Sequence, residues 1–535
     1  IPGNPAGGQF LVQFDPDGNP QESHSLQNSA INRTYITPSG KILTGNSGTT
    51  TGTEYYGNFY LTQFSNSMSQ EWQLKSSNSM SGSASLRYIK HDASGNTYLQ
   101  SRVSGYCNYF GHIININSSA QVISKHDVSG NLLWLRLIND MGTSVFGAAF
   151  TLDKDNNVLT TGFFQTYLNI GTTVLTSSLS VPEGYVAKYS TDGDFLWAAK
   201  MDLGQNISQD GYISVASDYA GNVLVSGPLS PANFLVKFDD SGNRLWTRTF
   251  PMESYYFSLV STDAGNNIYL ASEIHLSGSS GSAMIGSVPL TQTFDDGATV
   301  LVKLDPNGNA LWARTYGGVT GATYSDGWPC DIKTDAAGNS YLWGWCRNNS
   351  VFGSTTLINP FTVNQDYSYY LAKINTSGDV VWAKAIYETK YAFNYGDLLD
   401  LDSSGNIYAG GHFNDRIHID GMEFTPSGTY DFFTAKFSNN GSFLWIKTIP
   451  ASTSIITSID ARWDDNLSVA GAAGSEPALG GVVIERKGGS SAIAATLGNL
   501  TINSHFVPVW WPGNGTNHMN LYAMTATLDG APLQP

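Results

Sequence analysis

The chain has 535 residues, of which 27 are basic and 43 acidic, giving a net charge of −16 with only 13% charged side chains. No lysine or arginine cluster occurs, which argues against nucleic acid and anionic membrane surfaces as partners, and no apolar run reaches the ~18 residues of a spanning helix. Hydrophobic residues at 41% supply a large core, and glycine, serine, threonine and asparagine fill a polar, weakly charged surface of the kind common outside cells and on virus particles.

The chain opens Ile1-Pro2-Gly3 without an initiator methionine and is read as a processed or partial chain. The first predicted element is a lone hairpin, FLVQFDPDGNPQ (10–21), with Glu22 at its end. Two hairpin types then alternate. One reads SLRYIKHDASGNTYLQS (85–101), SVASDYAGNVLVSG (214–227), SLVSTDAGNNIYLAS (258–272), CDIKTDAAGNSYLWG (330–344) and LLDLDSSGNIYAGG (398–411), with weaker copies at 34–46, 150–162 and 458–471. Glycine supplies the positive φ of a tight turn, and Asp and Asn bond the turn backbone. The other type closes on Trp72, Trp134, Trp197, Trp246, Trp312, Trp382 and Trp445, six of them four residues after a glycine, as in FLVKFDDSGNRLW (234–246).

Two hairpins per period give four antiparallel strands, a to d, and a sheet with two apolar faces must be covered by copies of itself. The expected fold is an all-β propeller of four-stranded antiparallel blades. Eight blades are expected, with seven or nine as alternatives, and strands from both termini close the ring. The repeats span 1–475, with the hairpin at 10–26 completing the unit at 456–471. Residues 476–535 form an irregular segment, a closing blade or a cap. No stretch shows sustained helical periodicity. The seven tryptophans are assigned to packing between blades.

These motifs resemble the bacterial β-propeller repeat family named for seven blades. The residues that carry the likeness are LLDLDSSGNIYAGG (398–411), YVAKYSTDGDFLWAAK (185–200) and LVKLDPNGNALWART (301–315), and it extends over roughly residues 10–475. The resemblance implies a secreted or surface protein and brings no catalytic residues with it.

The tight a–b and c–d turns should fall on one rim, and the b–c and d–a connections on the other. The second set is long and aromatic, and loops on a rigid scaffold are where recognition residues concentrate. The candidate ligand or partner residues are therefore Tyr55, Tyr56, Tyr106, Tyr109, Tyr255, Tyr256, Trp328, Tyr367, Tyr369, Tyr391, Tyr395, Trp510 and Trp511. The pair Trp510-Trp511 reads either as a binding platform or as a plug on the last blade.

Turns such as DPDGN (15–19), DKDNN (153–157) and DPNGN (305–309) resemble calcium loops, but the twelfth position from Asp15 is Leu26, not Glu. His412 and His418 lack a third ligand nearby. Cys330 and Cys346, on neighbouring strands, could pair or be two buried thiols, and Cys107 is left over. No nucleophile elbow, phosphate loop, zinc or haem spacing occurs. The expected function is a non-enzymatic extracellular or cell-surface module that binds glycan or protein through the long-loop rim, without cofactor or metal. The alternative is a structural subunit of a cell-surface or virion assembly. A third reading is a quinone-cofactor dehydrogenase, whose outer strands carry a similar D-x-x-x-G-x-x-x-W pattern.

Overall fold

The computed structural model describes the strands, tight turns and part of the connections between Gly8 and Val483, together with Thr527–Leu528 and Ala531–Pro532. No helix occurs among the described residues. The chain is a β-propeller of four-stranded antiparallel sheets, each with strand a innermost and strand d at the outer edge. Among the described residues seven blades are each cut from one contiguous stretch: 29–75, 83–139, 146–200, 214–250, 258–316, 327–388 and 399–451. The ring is sealed by a composite sheet. There Ser454–Asp460 and Leu467–Ala473 supply a and b, while Gly8–Phe14 and Pro20–Leu26 supply c and d. In its central register Phe10 faces Gly471 and Phe14 faces Leu467. This sheet packs on the seventh blade at one side and the first at the other, so the hairpin near the start of the chain closes the ring as its sequence predicts. Trp510, Trp511 and nearly all of 476–535 lie outside the described residues.

The D-x-x-G-N spelling is a self-contained turn. Asp92 Oδ1 accepts the backbone N–H groups of Ser94 and Asn96 at 3.0 and 2.9 Å, and Asn96 Nδ2 donates to Asp92 Oδ2 at 2.9 Å. The same bonds recur at Asp153 and Asp218 in a–b turns and at Asp127, Asp239 and Asp305 in c–d turns. In each of these carboxylates Oδ1 is committed to the turn backbone.

The Gly and Trp of the second motif are neighbours in sequence but act across two blades. A Cβ placed on Gly130, Gly193, Gly242, Gly308, Gly378 or Gly441 would lie between 2.5 and 3.1 Å from the indole of Trp72, Trp134, Trp197, Trp246, Trp312 or Trp382 respectively, always in the preceding blade. Five of those indoles donate Nε1–H to the carbonyl two residues before the glycine: Trp72 to Val128 (3.2 Å), Trp134 to Thr191 (3.0 Å), Trp197 to Asp240 (2.9 Å), Trp312 to Thr376 (2.9 Å) and Trp382 to Asn439 (3.2 Å). Trp246 is the exception; the matching carbonyl, Pro306, accepts from Lys237 Nζ at 3.0 Å. Each blade thus lays a flat ring on a bare patch of backbone in the next. Only glycine leaves that patch bare, and only glycine takes its positive φ without strain.

A second link, within each blade, joins a lysine of strand c to the Asp of the a–b turn. Lys188 meets Asp153 at 2.7 Å and Lys237 meets Asp218 at 2.8 Å, with lysine side chains 1–2% exposed. In blades where a tyrosine stands six residues after the Asp, its hydroxyl takes the same carboxylate. Tyr98, Tyr269 and Tyr408 do so at 3.1, 3.1 and 3.2 Å, and the lysine stands back at 3.8, 3.9 and 3.6 Å over the tyrosine ring. Leu159 and Leu224 fill that position where the ion pair is tight. In the first blade Gln63 replaces the lysine and reaches the Val128 carbonyl at 3.1 Å.

The b–c connections, expected to be long and aromatic, carry strand pairing of their own. In the second blade Thr97–Tyr109 and His112–His126 form one long hairpin that runs to Gly111. Elsewhere a small extra hairpin is inserted: Tyr167–Ile170 with Thr173–Thr176, Ser282–Ile285 with Val288–Thr291, Ser350–Phe352 with Thr355–Leu357, and Ile417–Ile419 with Met422–Phe424. Three of them reach the outer strand of the preceding blade, through Asn169 opposite Asn139, Val351 opposite Gly317, and His418 opposite Tyr387. Strand pairing across blades satisfies backbone groups that a free loop would leave to water.

Candidate functional site

Among the described residues two regions are candidates for a ligand site: the rim of b–c and d–a connections, and the axial cavity between the inner strands. On the rim, Trp328 opens the inner strand Gly327–Thr334 of the sixth blade and stands opposite Trp345 of strand Ser340–Arg347. The two indoles stack with centroids 4.0 Å apart at 30°, and both are half-buried. The Trp345 indole N–H donates to the Cys330 thiol, and burial pushes that thiol well above its usual pKa. Tyr106, on the long hairpin of the second blade, is also half-buried.

Two of the predicted rim aromatics are core residues instead. Tyr109 is fully buried, with its hydroxyl 3.0 Å from Ser101 Oγ and 3.1 Å from Ser124 Oγ. Tyr369 is fully buried, stacked on Trp343 at 5.1 Å and 2°, and donates to the His412 carbonyl at 2.9 Å. The physical reason is that residues expected in loops belong to extended strands, whose alternation turns every second side chain inward. The backbone of Tyr367 begins strand Tyr367–Ile374, but its side chain lies outside the described set. Tyr55, Tyr56, Tyr255, Tyr256, Tyr391 and Tyr395 also lie outside the described residues. Among the described residues the predicted aromatics do not form one cluster, and the structure adds Trp345, whose place beside Trp328 becomes visible only when strands a and b are put in register.

The axial cavity has a volume of about 670 Å³ and is walled by the inner strands of the second to sixth blades. Hydroxyls of Thr151, Ser214, Ser217, Ser261 and Thr262 alternate there with small apolar side chains. Ser214 Oγ accepts from the Val260 N–H at 3.4 Å and Thr262 Oγ1 donates to the Ser217 carbonyl at 3.0 Å, which ties neighbouring inner strands together. The cavity wall holds Asp153, Asp218 and Asp331 with Lys90, Lys154 and Lys333. Asp331 accepts from the Ile332 N–H at 2.7 Å and from Lys333 Nζ at 2.9 Å. Sequence reasoning missed this cavity. A short inner strand of Ser, Thr, Ala and Val gives no motif, and only ring closure makes it a wall.

Burial pushes His412 down to about 4. His418 Nε2 lies 3.3 Å from Glu423 Oε2. Among the described residues no group of three or more His, Cys, Asp or Glu is arranged to hold a metal ion, all three cysteines are free and buried, and no helix is long and apolar enough to cross a membrane.

No family model matches the chain, and no curated protein matches it. Among solved structures it is similar to one described as the Dos1 propeller, at 10% identity over 88% of this chain and 96% of that one, with a TM-score of 0.42. A rhamnogalacturonan lyase from Bacillus licheniformis shares 12% identity over 88% of this chain and 74% of its own, with a TM-score of 0.36. A europium-containing methanol dehydrogenase shares 10% identity over 83% and 82%, with a TM-score of 0.37. None of these activities passes to the present chain.

Proposed function

We propose that this chain is a non-enzymatic recognition module of the cell exterior or a surface assembly, holding glycan or protein on the rim of its b–c and d–a connections. The observation that carries the reading is the stacked Trp328–Trp345 pair. Two aromatic faces fixed on adjacent strands offer large contact area with little entropy left to lose on binding. The low charge of the chain and the resemblance of its repeats to a bacterial surface-protein propeller family support the same setting. The test is a broad glycan array with the purified protein beside Trp328→Ala, whose fold is checked by its melting transition. Selective binding lost in a folded variant supports the proposal; a blank array and no captured surface protein at high concentration reject it.

A second reading, a structural subunit, rests on a different observation. The residue before each blade tryptophan from the second blade onward is an exposed aliphatic: Leu133, Leu196, Leu245, Leu311, Val381 and Leu444 are 48–53% exposed on the outer strands. Sedimentation that shows stable self-association, lost when Leu245 and Leu311 become Gln, favours it.

A further inference from the structure

Lys373, in strand c of the sixth blade, differs in its partner from the lysines described above. Its side chain is buried, 9% exposed, and lies over the Tyr341 ring at 5.1 Å. Its Nζ meets Oδ1 of Asn439, in the c–d turn of the seventh blade, and the Asn439 carbonyl at 3.3 Å. The Tyr341 hydroxyl stands 3.3 Å from that Oδ1 and 3.3 Å from Asp335 Oδ2. Asn439 Nδ2 is turned toward Gly405, 2.7 Å from the place a Cβ would take there. An amine, a carboxamide, a hydroxyl and a carboxylate are thus gathered across the joint of two blades.

The residue two places before each of the six stacking glycines is Val128, Thr191, Asp240, Pro306, Thr376 or Asn439. Only the last is a carboxamide, and the difference is chemical. An ionised carboxylate such as Asp240 resists attack by an amine. A carboxamide is uncharged and carries a leaving group. Burial draws the Lys373 pKa down against the pull of Asp335, which enlarges the share of neutral, nucleophilic amine.

We propose that Lys373 and Asn439 condense spontaneously into an isopeptide bond that ties the sixth blade covalently to the seventh, with Asp335 and Tyr341 assisting. This modification site is independent of the rim and of what binds there. Neutral Nζ adds to Cγ of Asn439. A proton passes from Nζ to Nδ2 by way of Asp335, which reaches the site through the Tyr341 hydroxyl. The Cγ–Nδ2 bond then breaks, and ammonia leaves on the exposed side of Asn439. One amide replaces another, so no oxidant, reductant or second substrate is consumed. The Tyr341 hydroxyl stands beside the oxygen where negative charge gathers in the tetrahedral intermediate. The fold holds the reacting groups in contact, which supplies the orientation that free side chains lack. The bond would span 66 positions of the chain and brace the seventh blade, on which the composite sheet packs.

The test is the mass of the full chain after denaturation, followed over time in mildly alkaline buffer and combined with peptide mapping. The expected chain is lighter than its sequence by one ammonia. It should yield a branched peptide that joins the Lys373 segment to the Asn439 segment, with no tryptic cleavage after Lys373. Both signs should be absent from Lys373→Arg and Asn439→Ala. Asp335→Asn should form the bond about 100-fold more slowly. That variant keeps its turn, because Asn375 accepts the N–H groups of Ser377 and Asp379 at 2.9 Å in a turn of the same kind. The unaltered chain decides the matter even where a variant misfolds: a folded chain that keeps its full sequence mass overturns the proposal. An ammonia loss that survives Asn439→Ala belongs to another asparagine and overturns it too. An unchanged rate in Asp335→Asn overturns the assigned part of Asp335.

Discussion

Replacing Gly242 by alanine tests the cross-blade contact directly. At φ +85° an L-residue is strained by about 1–2 kcal/mol. The added Cβ would also lie 2.5 Å from Trp197 Cδ2 and 2.7 Å from its Cε3 and Cγ. The indole has little room to yield, because its Nε1 is bonded to the Asp240 carbonyl at 2.9 Å and its ring lies against Phe238 at 6.0 Å. Overpacking of this kind adds about 1–3 kcal/mol, for a total of roughly 2–5 kcal/mol. Gly111 is the control: its φ is +92°, and a Cβ there meets nothing within 4 Å. Gly111→Ala should therefore cost only the backbone part, about 1–2 kcal/mol. Urea unfolding followed by circular dichroism and by tryptophan fluorescence gives both costs, provided the two probes coincide. In a Trp197→Ala background the Gly242 penalty should shrink toward the Gly111 value. If Gly242→Ala costs no more than Gly111→Ala, or its excess survives the loss of the indole, the stacking account is wrong.

Lys188→Met should cost about 3–5 kcal/mol, because Asp153 would stay buried without its partner, and adding Asp153→Asn should recover most of it; an unchanged urea midpoint in the single variant rejects the link. Burial works against the charge on Lys188, but its bonds to Asp153 and Asp240 outweigh it and raise the Lys188 pKa. Asp153 sits below the usual carboxylate range because its bonds from Lys188 and Asn157 outweigh the desolvation that pushes the other way. Its stabilisation should therefore be complete above the unfolded carboxylate pKa and vanish as pH falls through the lower folded value. His126 and His412 are held neutral by burial, both at about 4, against about 6.5 in the unfolded chain. Stability should decline from pH 6.5 toward 4 by about 1.4 kcal/mol per unit for each histidine, and His126→Asn should flatten the slope; a level profile over that range contradicts their burial. Burial pushes the thiols of Cys107 and Cys346 up to about 11 and that of Cys330 further still, so all three should resist a thiol reagent in the native state and react together on unfolding.

The repeat was legible where one residue type recurs for one reason. A glycine four places before a tryptophan marks a turn and its outer strand, although the sequence does not reveal that each glycine serves the tryptophan of the blade before it. The composite sheet was readable because the hairpin at 10–21 lacks the a–b pair that every other c–d hairpin has. The candidate site was less legible. Tyr109 and Tyr369 look like loop aromatics because aromatic residues mark both rims and cores, and only the extended strands that carry them decide between the two. The strand-c lysines pass for surface charges until the a–b turn beneath them is in place. The cavity wall leaves no signature, since serine, threonine and alanine in a short strand also suit any exposed edge.

The composite sheet sets an order of events for the folding chain. Gly8–Phe14 is made about 460 residues before its partner, Leu467–Ala473. For a chain that folds as it is synthesised, at roughly 5–20 residues per second, the hairpin waits about 25–90 s with an unpaired edge. The seven contiguous blades can form one by one in that interval, but sealing the ring carries the longest-range strand pairing among the described residues and the entropic cost of closing so long a loop. Until then the open array has sticky flanks at both its first and its seventh blade, where another unfinished copy could dock its own hairpin. A synthetic peptide of residues 8–26 should compete for that dock in refolding and trap an open-ring species, so the fidelity of ring closure depends on keeping the earlier-made strand free.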